Sequence, residues 1–76
     1  MKIAIFCDGM GWHLHNWVKV LRQSSDTGDI FLSDPSGFNL DSICRNLGDK
    51  IKGVYDSPQK LLEDNQVDLA IIDTSP

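Results

Sequence analysis

Basic residues, cysteine and proline are all scarce in this 76-residue chain: seven Lys+Arg stand against eleven Asp+Glu, with two Cys and three Pro. The formal net charge of −4 leaves no basic stripe able to neutralise phosphates along a nucleic acid. The same sign argues against docking on an anionic membrane. Long apolar runs are missing too. Ile3-Ala4-Ile5-Phe6 is too short for a signal peptide or for a membrane span. Cys7 and Cys44 form no C-x-x-C pair and are not the dense, spaced set of a secreted mini-protein, which excludes a zinc ribbon and a disulfide framework and points to a reducing cytoplasm. There is no internal repeat, low-complexity tract or linker. What is present is 41% apolar and 24% charged residues, a balance that fits one soluble globular domain and excludes a disordered tail. A chain this short buries only about 60–65% of its unfolded surface, so its stability is expected to be marginal.

Hydrophobic periodicity alternates between strand and helix from end to end. Ile3 to Phe6 reads as a strand buried on both faces. The turn Asp8-Gly9-Met10-Gly11 follows, and then Leu14, Trp17, Val18 and Leu21 recur at i, i+3, i+4 and i+7, the core face of an amphipathic helix. Ile30 to Leu32 forms the second strand and stops at the turn residues Ser33-Asp34-Pro35-Ser36-Gly37. Leu40, Ile43, Cys44 and Leu47 repeat the helical spacing, with Asn39 placed as N-cap and Gly48 as the left-handed C-terminal residue. Ile51 to Tyr55 is a third strand, weakened by Gly53. Ser57-Pro58 announces a third helix with Leu61 and Leu62 inward, closed by Asn65 and Gln66. Val67 to Ile72 reads as a fourth strand, and Asp73-Thr74-Ser75-Pro76 as a turn. Strands separated by single helices run parallel through right-handed crossovers, so the fold class is α/β, a parallel β-α-β-α-β-α-β three-layer sandwich.

In such a sheet, ligands gather at the carboxyl ends of the strands. Here those ends carry Cys7, Asp8, Gly9, Met10 and Gly11, then Ser33 to Gly37, Asp56-Ser57, and Asp73 to Pro76. The first loop opens a helix whose free N–H groups favour an anion such as a phosphate, and Gly9 and Gly11 would let backbone approach it closely; a tight turn alone would account for them as well. Asp34 lies 23 positions after Gly11, where a carboxylate can accept hydrogen bonds from an adenosine ribose, or where it simply begins an Asp-Pro turn.

These segments carry a resemblance. Ile51-Lys52-Gly53-Val54-Tyr55, Ser57-Pro58-Gln59-Lys60-Leu61-Leu62 and Val67-Asp68-Leu69-Ala70-Ile71-Ile72 are similar to the third strand, third helix and fourth strand of the N-terminal nucleotide-binding domain of the Gfo/Idh/MocA oxidoreductases. Ser33-Asp34-Pro35 resembles that family's acidic end of the second strand, and Asp73-Thr74-Ser75-Pro76 its loop after the fourth. The resemblance spans essentially the whole chain. It implies a Rossmann-like domain over residues 1–76, strand order 3-2-1-4, ending after the fourth strand and short of a C-terminal substrate domain. It further implies NAD or NADP as cofactor and catalytic groups that lie beyond this segment. Gly9 and Gly11 would line the pyrophosphate, Asp34 would take the adenosine ribose and favour NAD over NADP, and Thr74, Ser75 and Pro76 would face the other ribose. The family's G-x-G-x-x-G turn is altered: its glycine positions fall on Phe6, Asp8 and Gly11. Asp8 would bring a carboxylate toward the pyrophosphate, so a Rossmann-like domain that has lost its cofactor stands as an alternative.

A third possibility starts from Cys7. A cysteine ending the first strand before a helix-opening loop is similar to the phosphocysteine of phosphotransferase-system IIB carriers, although Asp8 opposes both thiolate and phosphate. His13 and His15 fall about 200° apart on a helix and cannot chelate one metal. Trp17 is expected in the core; Trp12 and Phe38 are candidate ligand or partner contacts. Glu63, Asp64 and Asp68 read as a solvated rim, with no paired-acid geometry implied. Oligomeric state cannot be read from the sequence, although an edge strand left exposed by truncation would invite association.

Overall fold

The structure, a computed structural model, describes residues 1–8, 14–24, 28–37 and 39–74; of Asp8, Leu14, His15, Asp73 and Thr74 it describes the backbone alone. Strand β1 is Ile3–Asp8, helix α1 Leu14–Gln23, β2 Ile30–Ser33, α2 Leu40–Leu47, β3 Ile51–Tyr55, α3 Pro58–Asp64 and β4 Leu69–Thr74; a single 3-10 turn, Gly48–Lys50, joins α2 to β3. All strand pairings are parallel and the order is β3-β2-β1-β4, as the Rossmann-like reading requires. Among the described residues, no helix is long and apolar enough to cross a membrane.

Side-chain alternation along the strands sorts the core into two layers. On one face Ile3, Ile5, Cys7, Ile30, Leu32 and Ile71 pack against Val18 and Leu21 of α1 and Ile43 and Leu47 of α2. On the other face Ala4 and Phe31 pack against Leu61 of α3, with Phe6, Tyr55 and Val67 at the margin. The second layer is thinner: among the described helices α3 alone lies there, over β2 and β3 and against Ala4 of β1. The halves of the sheet are therefore covered unequally.

Local chemistry sets the element ends. Ser57 is extended and its hydroxyl accepts the Lys60 N–H at 3.4 Å, with Pro58 opening α3. Gly48 ends α2 at φ +53°, a left-handed value that a side chain would resist. Asn39 holds the N-cap position of α2 but makes no side-chain cap; the substitute is Asp34, considered below. Lys50 supplies a cap that periodicity could not reveal. Its Nζ donates to the carbonyls of Leu21 at 2.6 Å, Ser24 at 2.8 Å and Arg22 at 3.2 Å, so a cation closes the C-terminus of α1 from 26 to 29 residues away.

Several boundaries differ from the sequence pattern. β4 begins at Leu69 rather than Val67 and runs on through Asp73 and Thr74, which the pattern assigns to a turn. The cause is β1, which itself continues to Asp8 and pairs Cys7 with Asp73 and Asp8 with Thr74. Trp17, expected in the core, is 44% exposed. Val18 and Leu21 already fill the space beneath α1, and Trp17 lies on the flank of that stripe. Trp12, His13 and Phe38 lie outside the described residues.

Replacing Lys50 with Met should lower the urea midpoint by an amount equivalent to about 1–2 kcal/mol, the scale of charge-assisted hydrogen bonds lost at a helix end, with the slope unchanged. A midpoint equal to that of the native chain would show that the cap does not contribute.

Candidate functional site

The parallel sheet brings the ends of β1, β2, β3 and β4 to one edge. By backbone position each end carries an aspartate: Asp8 on β1, Asp34 just after β2, Asp56 just after β3 and Asp73 on β4. Asp8 and Thr74 are register partners there, so these two of the expected contact residues do come together. Gly9, Met10, Gly11, Ser75 and Pro76 lie outside the described residues.

Cys7 has a different standing. Its side chain is 2% exposed and points into the α1–α2 core layer, with its Sγ donating to the Ser33 carbonyl oxygen at 3.8 Å. Among the described residues the thiol is enclosed.

Asp34 stands at the carboxyl end of the second strand. It follows β2 directly and is 2% exposed. Its backbone N–H donates to the Tyr55 carbonyl at 3.3 Å, which anchors the loop to β3. Its carboxylate is occupied by its own loop: Oδ1 accepts the Ser36 hydroxyl at 2.6 Å and the Ser36 N–H at 3.2 Å, and Oδ2 accepts the Asn39 N–H at 2.8 Å. The turn closes with the Gly37 N–H donating to the Asp34 carbonyl at 3.0 Å, and Gly37 adopts φ +72°. Asp34 is thus an Asx turn and the real N-terminal cap of α2 in one group, because the first N–H groups of a helix need an acceptor. Burial pushes its carboxyl pKa up, but hydrogen bonds from Ser36 and Asn39 outweigh that, and the net position is below the ordinary 3.8. Asp34 is a carboxylate at neutral pH.

Beside Asp34 a cleft of about 410 Å³ opens between the ends of β2 and β3, lined by Asp34, Leu40, Val54, Tyr55 and Asp56. Leu40 and Val54 supply apolar walls, and the two aspartates supply acceptors. Tyr55 is held from below, its hydroxyl accepting Asn65 Nδ2 at 2.9 Å. Leu40, Val54, Tyr55 and Asp56 were not singled out by motif. The Asp56-Ser57 loop gave the one hint, by standing at a strand end. The lining is thus part apolar and part acidic.

The remaining polar groups do not build a second centre. Glu63 accepts from Gln59 at 3.3 Å, Asp64 pairs with Lys60 at 3.5 Å on the surface, and Asp68 accepts the Lys2 N–H at 2.8 Å, consistent with a solvated rim. Among the described residues no group of three or more His, Cys, Asp or Glu is placed to hold a metal. Ser33 is fully buried, and among the described residues its Oγ has no hydrogen-bond partner. Comparison with protein-family models, with curated proteins and with solved structures gives no match.

Two outcomes follow for stability. Asp34→Asn should cost about 1.5–3 kcal/mol at neutral pH, since the amide cannot accept all of the Ser36 and Asn39 donors. Because the folded carboxyl titrates below its unfolded value, its stabilisation is complete above about pH 4 and is lost as pH falls through the folded pKa. The gap between native and variant urea midpoints should therefore narrow on acidification below pH 4, and a constant gap would contradict the assignment. Ser33→Ala should leave stability equal or raise it by up to about 1 kcal/mol in thermal melts, since it deletes an unsatisfied buried hydroxyl.

Proposed function

We propose that this chain is the nucleotide-binding half of a dinucleotide-dependent oxidoreductase of the Gfo/Idh/MocA type, with the adenosine end of NAD in the cleft between β2 and β3. One observation carries the reading: an ionised carboxylate, Asp34, stands at the end of the second strand of a parallel β3-β2-β1-β4 sheet, beside an apolar-walled cleft. In this reading Leu40 and Val54 flank the adenine and Asp34 accepts from the ribose hydroxyls. The acidic lining disfavours the 2′-phosphate of NADP. Cys7, Asp8, Gly9, Met10 and Gly11 would meet the pyrophosphate through backbone N–H groups, and Thr74, Ser75 and Pro76 the second ribose. The nicotinamide would supply hydride transfer; this chain would bind and orient it, with catalytic groups in a separate substrate domain.

A second reading has its own support. The Asp34 carboxylate is engaged by Ser36 and Asn39, so a ribose would have to share or displace those donors. Asp8 and Asp73 add negative charge by position where a pyrophosphate would lie. A Rossmann-like domain that has lost its cofactor and uses Asp34 only to hold α2 fits these facts. The phosphocysteine alternative has the least support, given the enclosure of Cys7.

Titration with NADH, followed by energy transfer from tryptophan to the nicotinamide, separates the two. The leading reading expects saturable transfer, weaker with NADPH, and stronger binding in Asp8→Gly, which removes a like charge from the pyrophosphate. Absence of transfer in both chains, with circular dichroism showing both folded, would leave the cofactor-free domain as the function of this fold.

A further inference from the structure

Positive charge is unevenly placed on this acidic chain. Helix α1 carries Lys19 and Arg22, three positions apart and therefore on one face. With Val18 and Gln23 of the same helix and Asn46 of α2, they line a cleft of about 320 Å³ between the two helices. No carboxylate among the described residues lines it. Neither cation has an ion pair among the described residues; the surface pair is Lys60 with Asp64, on α3. Like charges side by side on a helix face repel each other, and a bound anion relieves that repulsion.

Three further features favour an anion here. The carbonyl end of a helix places negative charge at its last turn, where Arg22 stands. Lys50 offsets it, since its Nζ takes the carbonyls of Leu21, Arg22 and Ser24 and adds a third cation beside the cleft. Gln23 and Asn46 bring amide donors. The Asn46 side chain is steadied by its Nδ2, which donates one hydrogen to the Ser42 carbonyl at 2.7 Å and carries a second. Val18 and Leu21 anchor α1 in the core, so the backbone that bears Lys19 and Arg22 is fixed. This cleft is separate from the one beside Asp34. Both helices run against the strands, so Arg22, Gln23 and Asn46, in the last turns, lie toward the amino edge of the sheet, whereas Asp34 and Leu40 mark the carboxyl edge.

We propose that the α1–α2 cleft binds a small phosphate monoester as its dianion. A guanidinium fork matches two oxygens of a phosphate, an ammonium adds a point charge, and the amides reach the remaining oxygen. A phosphate monoester has a second pKa of about 6, so at neutral pH it carries close to the two negative charges that Lys19 and Arg22 neutralise. Volume and net charge select a small molecule as the source. Small-ligand sites span roughly 300–1,000 Å³, and this cleft lies at the lower end of that range. A phosphate within a nucleic acid or a membrane would bring a field of further negative charge against a chain of −4.

Titration of the isotope-labelled chain with phenyl phosphate at neutral pH, followed by amide NMR, tests this. Saturable shifts are expected from Val18 to Gln23 and at the Asn46 side chain, and not around Asp34. Benzoate, a monoanion on the same ring, should bind at least about fivefold more weakly, and a phosphoserine peptide no more tightly than phenyl phosphate. Arg22→Gln and Lys19→Gln should each weaken phenyl phosphate at least about fivefold. Lys60→Gln, a cation outside the cleft, should leave it unchanged. The amide spectrum reports whether each variant is folded, and either of the two cleft variants suffices if the other is not. No saturable shift at millimolar ligand, shifts that follow the exposed cations at large, benzoate or the peptide binding as tightly or more tightly, or indifference to both cleft variants would each overturn the proposal.

Discussion

The double pairing of β1 is the constraint on which everything else rests. Ile3, Ala4 and Ile5 are covered on both faces, and β1 is bonded to β2 on one side and to β4 on the other. In a chain too short for a deep core, β1 and the fully buried β2 form the sealed centre of the sheet, and β1 sets the register of both its neighbours. The extension of β4 through Thr74 follows from it: β1 continues to Asp8, and the backbone groups there take partners from Asp73 and Thr74. The juxtaposition of Asp8 and Thr74 at the carboxyl edge has the same origin.

Two polar contacts, one across five residues and one across 26 to 29, then hold the helices against that sheet. Asp34 caps α2 from the end of β2, and Lys50 caps α1 from the turn before β3. Each satisfies helix-end groups that the helix cannot satisfy itself, and each is charged, so each contact is stronger than a neutral one. Asp34 is also the residue that a dinucleotide reading needs most. Structure and function place different demands on one carboxylate: what makes it a good cap, engagement by Ser36 and Asn39, makes it a costly ligand. This competition is why the cofactor-bound and cofactor-free readings of the fold stand so near each other.

Uneven coverage of the sheet is the other consequence of small size. Two helices lie on one face and one on the other, and the single helix follows β3, so it protects the β3 side. The β4 side keeps Ala70 and Ile72 in contact with water.

Much of the fold was legible from residue pattern alone. The apolar run at Ile3, the i, i+3, i+4 spacings of Leu14 to Leu21 and Leu40 to Leu47, and Ser57-Pro58 act through neighbours within a turn or two, so they determine element type and sequence order wherever the chain goes. Parallel pairing and the clustering of strand ends follow from that order. Asp34 was legible as a site candidate for the same reason, by its distance from the glycine turn. Other features depend on how turns fold back and on contacts between segments far apart. Asn39 looks like a cap by type, yet the cap is Asp34, because the Pro35–Gly37 turn folds that carboxylate back on the helix start. Trp17 fits the apolar stripe by spacing, yet packing leaves room beneath α1 for Val18 and Leu21 and turns Trp17 aside. The grip of Lys50 on α1 and the grouping of Leu40, Val54, Tyr55 and Asp56 into one cleft carry no local signal. The sequence by itself determined the strand–helix alternation and the loops that meet at the ligand edge. Tertiary structure alone decided which carboxylate serves as a cap and which thiol is sealed, since burial and pairing are properties of positions brought together by the sheet.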